Sequence, residues 1–268
     1  MSHPTSAPKP FAEDQSKNPP PKNRLDRVLR RFARASYFAA VLLLYAVAST
    51  ALGLALAPAL WCFERLAAWS ASFPGPAHWF ALGTSAALCF FVAGLTLLIV
   101  VPIYNFLLPT RITPFKGGYY SLYAVPWFLH NGLFYLVRYT FLPFVTLTPF
   151  GIWFLKAMGM KIGRHAFVNT EYISDPQLLT LGDDAALGGS VRIFAHYGGG
   201  GNFVVAPVVI ERRATIGLGA TIMGDVEVGE GAALVALVAR GGGSECGPSP
   251  AGGVGRQDNP RPVLVLDL

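Results

Sequence analysis

The sequence predicts two membrane-spanning helices followed by a β-helix built from six-residue repeats. Two long stretches of the first half, residues 35–63 and 66–110, contain no Asp, Glu, Lys or Arg. The second half carries an aliphatic residue at every sixth position through most of residues 162–234. A period of six with one inward aliphatic residue per step is typical of a β-helix, in which each short strand points one side chain into a narrow prism.

The composition indicates a membrane protein. Of the 268 residues, 53% are apolar and 13% are charged, and the mean hydropathy is +0.45, which is high for an ordinary soluble domain. Each uncharged stretch can hold the ~20 apolar residues that cross a bilayer, and we predict crossings at 37–57 and 79–101. Trp61, Trp69 and Trp79 lie near the ends of these stretches, where aromatic rings favour the membrane interface.

The N-terminal segment predicts the orientation in the membrane. Residues 1–23 have the composition of a disordered tail. The spacing of Leu25, Val28, Leu29 and Phe32 then predicts an amphipathic helix that lies on an anionic membrane surface. The basic residues of this region are Lys22, Arg24, Arg27, Arg30, Arg31 and Arg34. The positive-inside rule therefore predicts a multi-pass protein of the inner (cytoplasmic) membrane, with the β-helix facing the cytoplasm.

The remaining boundaries follow from composition. Residues 24–118 comprise the basic helix and the transmembrane hairpin, and residues 119–159 predict aromatic helices that lie in the membrane interface. A third crossing is the alternative for this segment and would place the β-helix outside, but its prolines and Arg138 make a straight crossing costly. The β-helix is predicted over 160–239, and a Gly/Pro-rich tail over 240–268.

The six-residue repeat is broken twice. The repeating residues are Ile162, Val168, Leu181, Leu187, Ile193, Ile210, Ile216, Ile222, Val228 and Leu234. The step from Val168 to Leu181 is thirteen residues, one more than two repeats. The step from Ile193 to Ile210 is seventeen residues, one fewer than three repeats. Both breaks mark places where the chain can leave the regular coil.

This pattern resembles the hexapeptide-repeat acyltransferase family over about residues 160–239. The resemblance implies a left-handed parallel β-helix that assembles as a homotrimer or pseudo-trimer. It also implies acyl-CoA as a co-substrate, with no bound cofactor. The entry into the first repeat, residues 144–163, is similar to that of membrane-linked members of this type, including domains at the ends of some peptide synthetases.

His196 is the predicted catalytic residue. It follows Ile193 by three positions, which is the polar, corner-turning phase of the repeat. The glycine run 198–201 comes next, and such a run predicts a mobile loop outside the coil. In the family, a histidine beside such a loop acts as general base on an acceptor hydroxyl or amine, which then attacks an acyl thioester. The alternative is a surface histidine at a turn.

The resemblance also implies binding residues. Backbone groups hold the pantetheine arm of acyl-CoA in the family, so small residues after the loop are the expected contacts: Gly217, Gly219, Ala220 and Gly224. These residues could instead serve tight turns. Asp175 and Asn202 are candidates for positioning the acceptor, and the alternative for Asp175 is a bulge with an Asx-type turn.

Several other functions are disfavoured by the motifs. The predicted β-helix holds only His165 and His196, so the three-histidine zinc site of a gamma-class carbonic anhydrase is incomplete, and we predict no metal site. The glycine run is not followed by Lys-Ser/Thr, which disfavours a P-loop. No nucleic-acid fold signature accompanies the net charge of +6, so we predict no nucleic-acid partner.

The predicted function is therefore acyl transfer by a membrane-anchored enzyme, with an acetyl group moving from CoA to a hydroxyl or amine. Two alternatives stay open. One is a non-catalytic membrane scaffold whose β-helix serves as an interaction module. The other is a condensing domain that uses a carrier-bound thioester in place of CoA.

Overall fold

The computed structural model describes residues 21, 23–199 and 202–234. A short basic helix precedes two long apolar helices, three short helices follow, and parallel-strand sheets make up most of the remaining described chain. Most of the predicted N-terminal tail, the last predicted residues of the repeat region (235–239) and the predicted Gly/Pro-rich tail lie outside the described residues.

The N-terminal basic helix, α1 (Arg24–Arg31), is present as predicted. Asn23 caps it, because its side-chain oxygen accepts the backbone N–H of Asp26 at 3.0 Å. The carboxylate of Asp26 is buried and accepts the backbone N–H of Leu122 at 3.0 Å. The first helix is thereby attached to the segment that precedes α4.

The two long helices are α2 (Ala33–Ser70) and α3 (Gly75–Leu107). Within the described residues, these two alone are long and apolar enough to cross a membrane. They contain both predicted crossings and extend beyond them. Large apolar side chains remain exposed along their length, including Phe80 at 78% and Phe106 at 86% exposure.

Three short helices occupy the segment predicted to be helical and aromatic. They are α4 (Val125–Arg138), α5 (Leu142–Val145) and α6 (Pro149–Ala157). Each has a proline in one of its first two positions, where the missing N–H removes no helical hydrogen bond. The prolines that argue against a straight crossing therefore start helices.

In the described part of the chain, fourteen short strands form four sheets. The strands are β1 (Phe115–Gly117), β2 (Lys161–Ile162), β3 (Phe167–Val168), β4 (Ile173–Ser174), β5 (Leu179–Leu181), β6 (Ala186–Leu187), β7 (Arg192–Phe194), β8 (His196–Gly199), β9 (Asn202–Val205), β10 (Val208–Ile210), β11 (Thr215–Ile216), β12 (Thr221–Ile222), β13 (Val226–Val228) and β14 (Ala233–Leu234). Three sheets are parallel, with orders β13-β10-β5-β2, β14-β11-β6-β3 and β12-β7-β4. The fourth is antiparallel, with order β1-β9-β8.

The parallel register stacks the repeating aliphatic residues on one another. The ladders are Ile162, Leu181, Ile210 and Val228; Val168, Leu187, Ile216 and Leu234; and Ile173, Ile193 and Ile222. Seven of the ten residues predicted to point inward are buried, and the three at the ends of the described ladders pack partly buried against the same core: Ile162, Val228 and Leu234. The chain visits the three sheets in a constant order, and a round without an insertion, from Ile210 to Val228, takes eighteen residues.

Both breaks in the repeat are structured. The first contains Asp175, in the left-handed region at φ 56°, and a 3₁₀ turn over Pro176–Leu178. The second is the antiparallel hairpin of β8 and β9. Gly198 and Gly199, predicted to lie in a loop, lie in β8, while the next two glycines lie outside the described residues. The strand β1, remote in sequence, pairs with β9 and extends this sheet.

One apolar core runs from the helices into the parallel sheets. Its helical members include Leu98 of α3, Phe134 of α4 and Phe154 of α6, and its sheet members include Leu187 and Ile193. A second cluster joins the hairpin to the segment before α4, through Phe115, Ala124, Phe203 and Val205. As a result, α4 packs beside both breaks of the repeat.

Candidate active site

The two breaks of the repeat bring Asp175 and His196 into contact. His196 Nδ1 lies 2.5 Å from Asp175 Oδ2. The Asp175 side chain is 0% exposed, whereas the His196 side chain keeps 21% exposure. The pair thus has a buried acidic end and an accessible imidazole end.

The contact determines which ring nitrogen of His196 is available for chemistry. An ionised carboxylate can only accept a hydrogen bond, so this contact favours the tautomer in which Nδ1 carries the ring proton and donates the hydrogen bond to Asp175. Nε2 then holds the free lone pair, and no described residue forms a hydrogen bond with it. A buried carboxylate that orients a histidine in this way is also found in the Asp–His pair of catalytic triads.

A polar network from α4 holds the carboxylate in place. Asn131 Nδ2 donates to Asp175 Oδ1 at 2.6 Å, and Asn131 Oδ1 accepts from Ser174 Oγ at 2.7 Å. The same oxygen accepts the backbone N–H of Asp175 at 3.3 Å. The Tyr135 hydroxyl lies 3.0 Å from Ser174 Oγ, and burial raises the pKa of Tyr135, which keeps the phenol protonated. Both carboxylate oxygens therefore have a partner.

Aromatic rings surround the imidazole. The ring centroid of His196 lies 5.1 Å from that of Trp127, 5.6 Å from Phe203 and 5.9 Å from Phe194. Trp127 also packs edge-on against Phe203 at 4.5 Å. These rings belong to α4, to β9 and to β7, so three separate elements fix the orientation of one histidine. Apolar walls of this kind also exclude water from a site.

A buried cation adjoins this wall. Arg138, at the end of α4, is 5% exposed, and its Nε has no hydrogen-bond partner within the described chain. Its guanidinium lies 5.2–5.8 Å from the ring centroids of Tyr135, Tyr139, Tyr172 and Phe194. Contacts with ring faces stabilise a desolvated cation. Arg138 therefore adds a positive charge behind the Phe194 side of the site.

Another histidine, His130, is buried and anchors the turn that follows Asp175. His130 Nδ1 lies 2.7 Å from Asn105 Oδ1 and 3.0 Å from Gln177 Nε2. Gln177 Nε2 in turn donates a hydrogen bond to the backbone oxygen of Thr110 at 3.0 Å, and Gln177 Oε1 accepts one from the backbone N–H of Ile112 at 2.9 Å. Burial lowers the pKa of His130 to about 4, against a smaller opposing effect of the Asp175 charge. His130 is therefore neutral near pH 7 and acts as a structural link.

The two residues predicted to position an acceptor lie in different settings. The prediction for Asp175 needs correction, because its carboxylate is fully buried behind His196 and cannot face an acceptor. Its backbone lies in the left-handed region and forms a turn closed by the backbone bond from Leu178 N–H to its carbonyl oxygen, without the side-chain bond of the predicted Asx-type turn. Asn202 begins β9 opposite Gly199, at the tip of the hairpin.

The four small residues predicted to contact acyl-CoA lie at a turn, against a neighbouring strand or against the core. Gly219 adopts φ +72° at a turn with open space around it. A Cβ on Gly224 would lie 3.1 Å from the backbone of Ala195, so this glycine lies under the strand that leads to His196. Ala220 packs against the core, and Gly217 N–H donates to Leu234 at 2.6 Å. The turn interpretation accounts for Gly219, and the contact with CoA stays a prediction.

Sequence reasoning missed the α4 side of the site. Trp127, Asn131 and Tyr135 stand at i, i+4 and i+8, which places them on one face of α4, and that spacing was the available signal. His165, the other histidine of the repeat region, is 83% exposed and lies 3.3 Å from Asp184. In the described part of the chain, no group of three His, Cys, Asp or Glu side chains could hold a metal ion.

The chain was compared with protein-family models, with curated proteins and with solved structures, and none of them matches it.

Proposed function

We propose that the protein is a membrane-anchored acyltransferase in which His196 is the general base and Asp175 orients it. The observation that carries the proposal is the 2.5 Å contact between a fully buried carboxylate and a partly exposed imidazole. A salt bridge with only a structural role would not need an accessible imidazole, nor a carboxylate held by the side-chain amide of Asn131. A histidine prepared in this way suits proton transfer near neutral pH.

The proposed reaction moves an acetyl group from CoA to a hydroxyl or amine. Nε2 of His196 takes the proton of the acceptor as its oxygen or nitrogen forms a bond with the thioester carbonyl carbon. The carbon–sulfur bond then breaks, and the imidazolium returns the proton to the departing CoA thiolate. The products are the acylated acceptor and free CoA, and Asp175 stabilises the imidazolium between the two steps.

The proposal includes the architecture around the site. We propose that the three parallel sheets close into a left-handed β-helix, which assembles as a trimer or pseudo-trimer and binds acyl-CoA along residues 217–224. The eighteen-residue round and the stacked aliphatic ladders support this arrangement. The helices α2 and α3 would form a hairpin in the cytoplasmic membrane, with the β-helix on the cytoplasmic side. The basic residues of α1 support this orientation through the positive-inside rule.

The test is a CoA-release assay with detergent-purified protein, acetyl-CoA and a panel of hydroxyl and amine acceptors. We expect turnover by the wild type and a loss of about 10²–10⁴-fold in His196→Ala, the usual contribution of a general base. His165→Ala is the matched control, because His165 also pairs with an aspartate but is exposed, and it should stay within about twofold of the wild type.

Equal turnover by His196→Ala and the wild type would refute the proposed base. Turnover with a carrier-bound thioester, but not with acetyl-CoA, would favour the condensing-domain alternative. Failure of both donors with every acceptor would favour the scaffold.

A further inference from the structure

A cavity of about 470 Å³ lies beside the candidate active site. Its lining comes from the start of α2, at residues 36–40, and from residues 119–128 before and within α4. No residue of the three parallel sheets contributes to it. Its volume lies within the range of about 300–1,000 Å³ that is usual for small-molecule sites.

The lining combines apolar surface with two unpaired polar atoms. Tyr37, Ala40 and Phe128 supply part of the apolar surface. Ser121 Oγ and Trp127 Nε1, both from lining residues, are buried and have no hydrogen-bond partner within the described chain. A buried polar atom without a partner is unfavourable. A ligand oxygen that reached either atom would satisfy it, since the indole N–H donates and the hydroxyl can donate or accept.

The cavity and the His196 site share an aromatic wall. Trp127 lines the cavity and also contacts the His196 ring, with centroids 5.1 Å apart. Tyr119 lines the cavity and stacks on Phe203 at 4.5 Å, and Phe203 contacts His196 at 5.6 Å. A molecule in the cavity would therefore lie against the residues that fix the imidazole.

We propose that this cavity binds the hydrocarbon chain of an amphiphilic acceptor, a membrane lipid that carries a free hydroxyl. The inference rests on the proposed function and specifies its acceptor class. The apolar lining matches the chain, and Ser121 with Trp127 matches an ester or hydroxyl oxygen next to it. The donor acyl chain fits less well, because the donor is expected along residues 217–224 and no residue of the parallel sheets lines the cavity.

The chain offers a matched pair of variants on α2. Ala40 lines the cavity, so Ala40→Trp fills it from the helix side. Ala39 is the preceding residue, is exposed and does not line the cavity, so Ala39→Trp adds the same ring to the same helix without filling it. Ser121→Ala is a second test, which removes an unpaired hydroxyl without adding bulk.

The experiment is photolabelling of the full chain in phosphatidylcholine vesicles. One probe is a monoacylglycerol with a diazirine in its saturated chain, a second is the same chain as a CoA thioester, and a third is the corresponding alkane without oxygen. We expect the monoacylglycerol to label peptides that contain residues 36–40 and 119–128. Labelling should fall about tenfold in Ala40→Trp and stay at the wild-type level in Ala39→Trp. Ser121→Ala should weaken labelling by the monoacylglycerol and leave labelling by the alkane unchanged.

Equal labelling of Ala40→Trp and Ala39→Trp would overturn the inference, as would labelling of these peptides by the CoA thioester alone. The readout is binding, so it separates the two proposals. Labelling with the expected variant pattern but without any acyl transfer would reject the proposed function and keep the cavity. Transfer to a soluble acceptor without cavity labelling would reject the lipid acceptor and keep the enzyme.

Discussion

Replacing Asp175 with asparagine tests whether the buried carboxylate sets the protonation of His196. Asparagine has nearly the same shape, so the turn and its packing should be retained. The side-chain oxygen can keep the hydrogen bond from Asn131 Nδ2, which is 2.6 Å long in the wild type. The new NH₂ group then faces His196 and donates to Nδ1. That contact moves the ring proton to Nε2, where the base must have a lone pair.

The expected loss follows from this change of tautomer. The reactive tautomer becomes rare, and the imidazolium formed during transfer loses a charged partner 2.5 Å away. The equivalent substitution in a serine-protease triad lowers kcat by about 10⁴. We expect a decrease of about 10³–10⁴ in kcat for Asp175→Asn, or about 4–5.5 kcal/mol in the activation free energy. KM for acetyl-CoA should change little, because Asp175 is buried away from any ligand.

The assay is initial-rate CoA release by detergent-purified protein, with a thermal melt to establish that the variant folds. Asp184→Asn is the matched control, because Asp184 pairs with the exposed His165 at 3.3 Å. Exposed pairs contribute about 0–1 kcal/mol, so this control should retain its rate. If a folded Asp175→Asn protein keeps kcat within about threefold of the wild type, the reasoning about the tautomer is refuted.

Three further predictions concern the support of the site and the helix packing. Asn131→Ala leaves one buried carboxylate oxygen of Asp175 without its partner and removes one of the two partners of the Ser174 hydroxyl. We therefore expect a lower Tm and a loss of about 1–3 kcal/mol in unfolding free energy, and an unchanged Tm would contradict this. The pKa of His130 falls to about 4 on folding, so the contribution of the neutral His130 to the free energy of unfolding should be fully present above about pH 6.5. That free energy should decrease by up to about 3 kcal/mol as the pH falls towards 4. Thermal melts of His130→Gln should show a weaker dependence on pH. A Cβ on Gly94 would lie 2.0 Å from the Phe141 ring, so Gly94→Ala should lower the free energy of unfolding by about 1–3 kcal/mol in a denaturation assay. Gly83 lies on the same helix with open space around it, so Gly83→Ala should be neutral or stabilising.

The regular part of the fold could be predicted because it repeats. The aliphatic residue at every sixth position identified the inward face of the strands, and Leu187 and Ile216 are fully buried where the period requires it. The extra residue between Val168 and Leu181 could be noticed but not located. The structure pairs Ile173 with Ile193, so the step from Val168 to Ile173 is five residues and the step from Ile173 to Leu181 is eight. Backbone register depends on the neighbouring strand, which a local period does not contain.

The candidate site could be predicted only in part. The phase of His196 and the break beside it identified the histidine, and Asp175 was noticed at the other break. Their contact follows from the return of the chain after one round, 21 residues apart in sequence, and two irregular steps hid that correspondence. Asn131 and Trp127 come from a helix whose docking against the sheets depends on tertiary packing. The glycine run predicted a loop because the pairing of β1 with β9 is not a local feature.

The central claim is that Asp175 acts through His196, and a double-mutant comparison tests it most directly. CoA release would be measured for His196→Ala, for Asp175→Asn and for the protein that carries both changes. If the pair works as one unit, the double variant is no slower than His196→Ala alone, because the carboxylate has no base left to orient. A double variant in which the two losses multiply would show that the residues act independently, and would contradict the account.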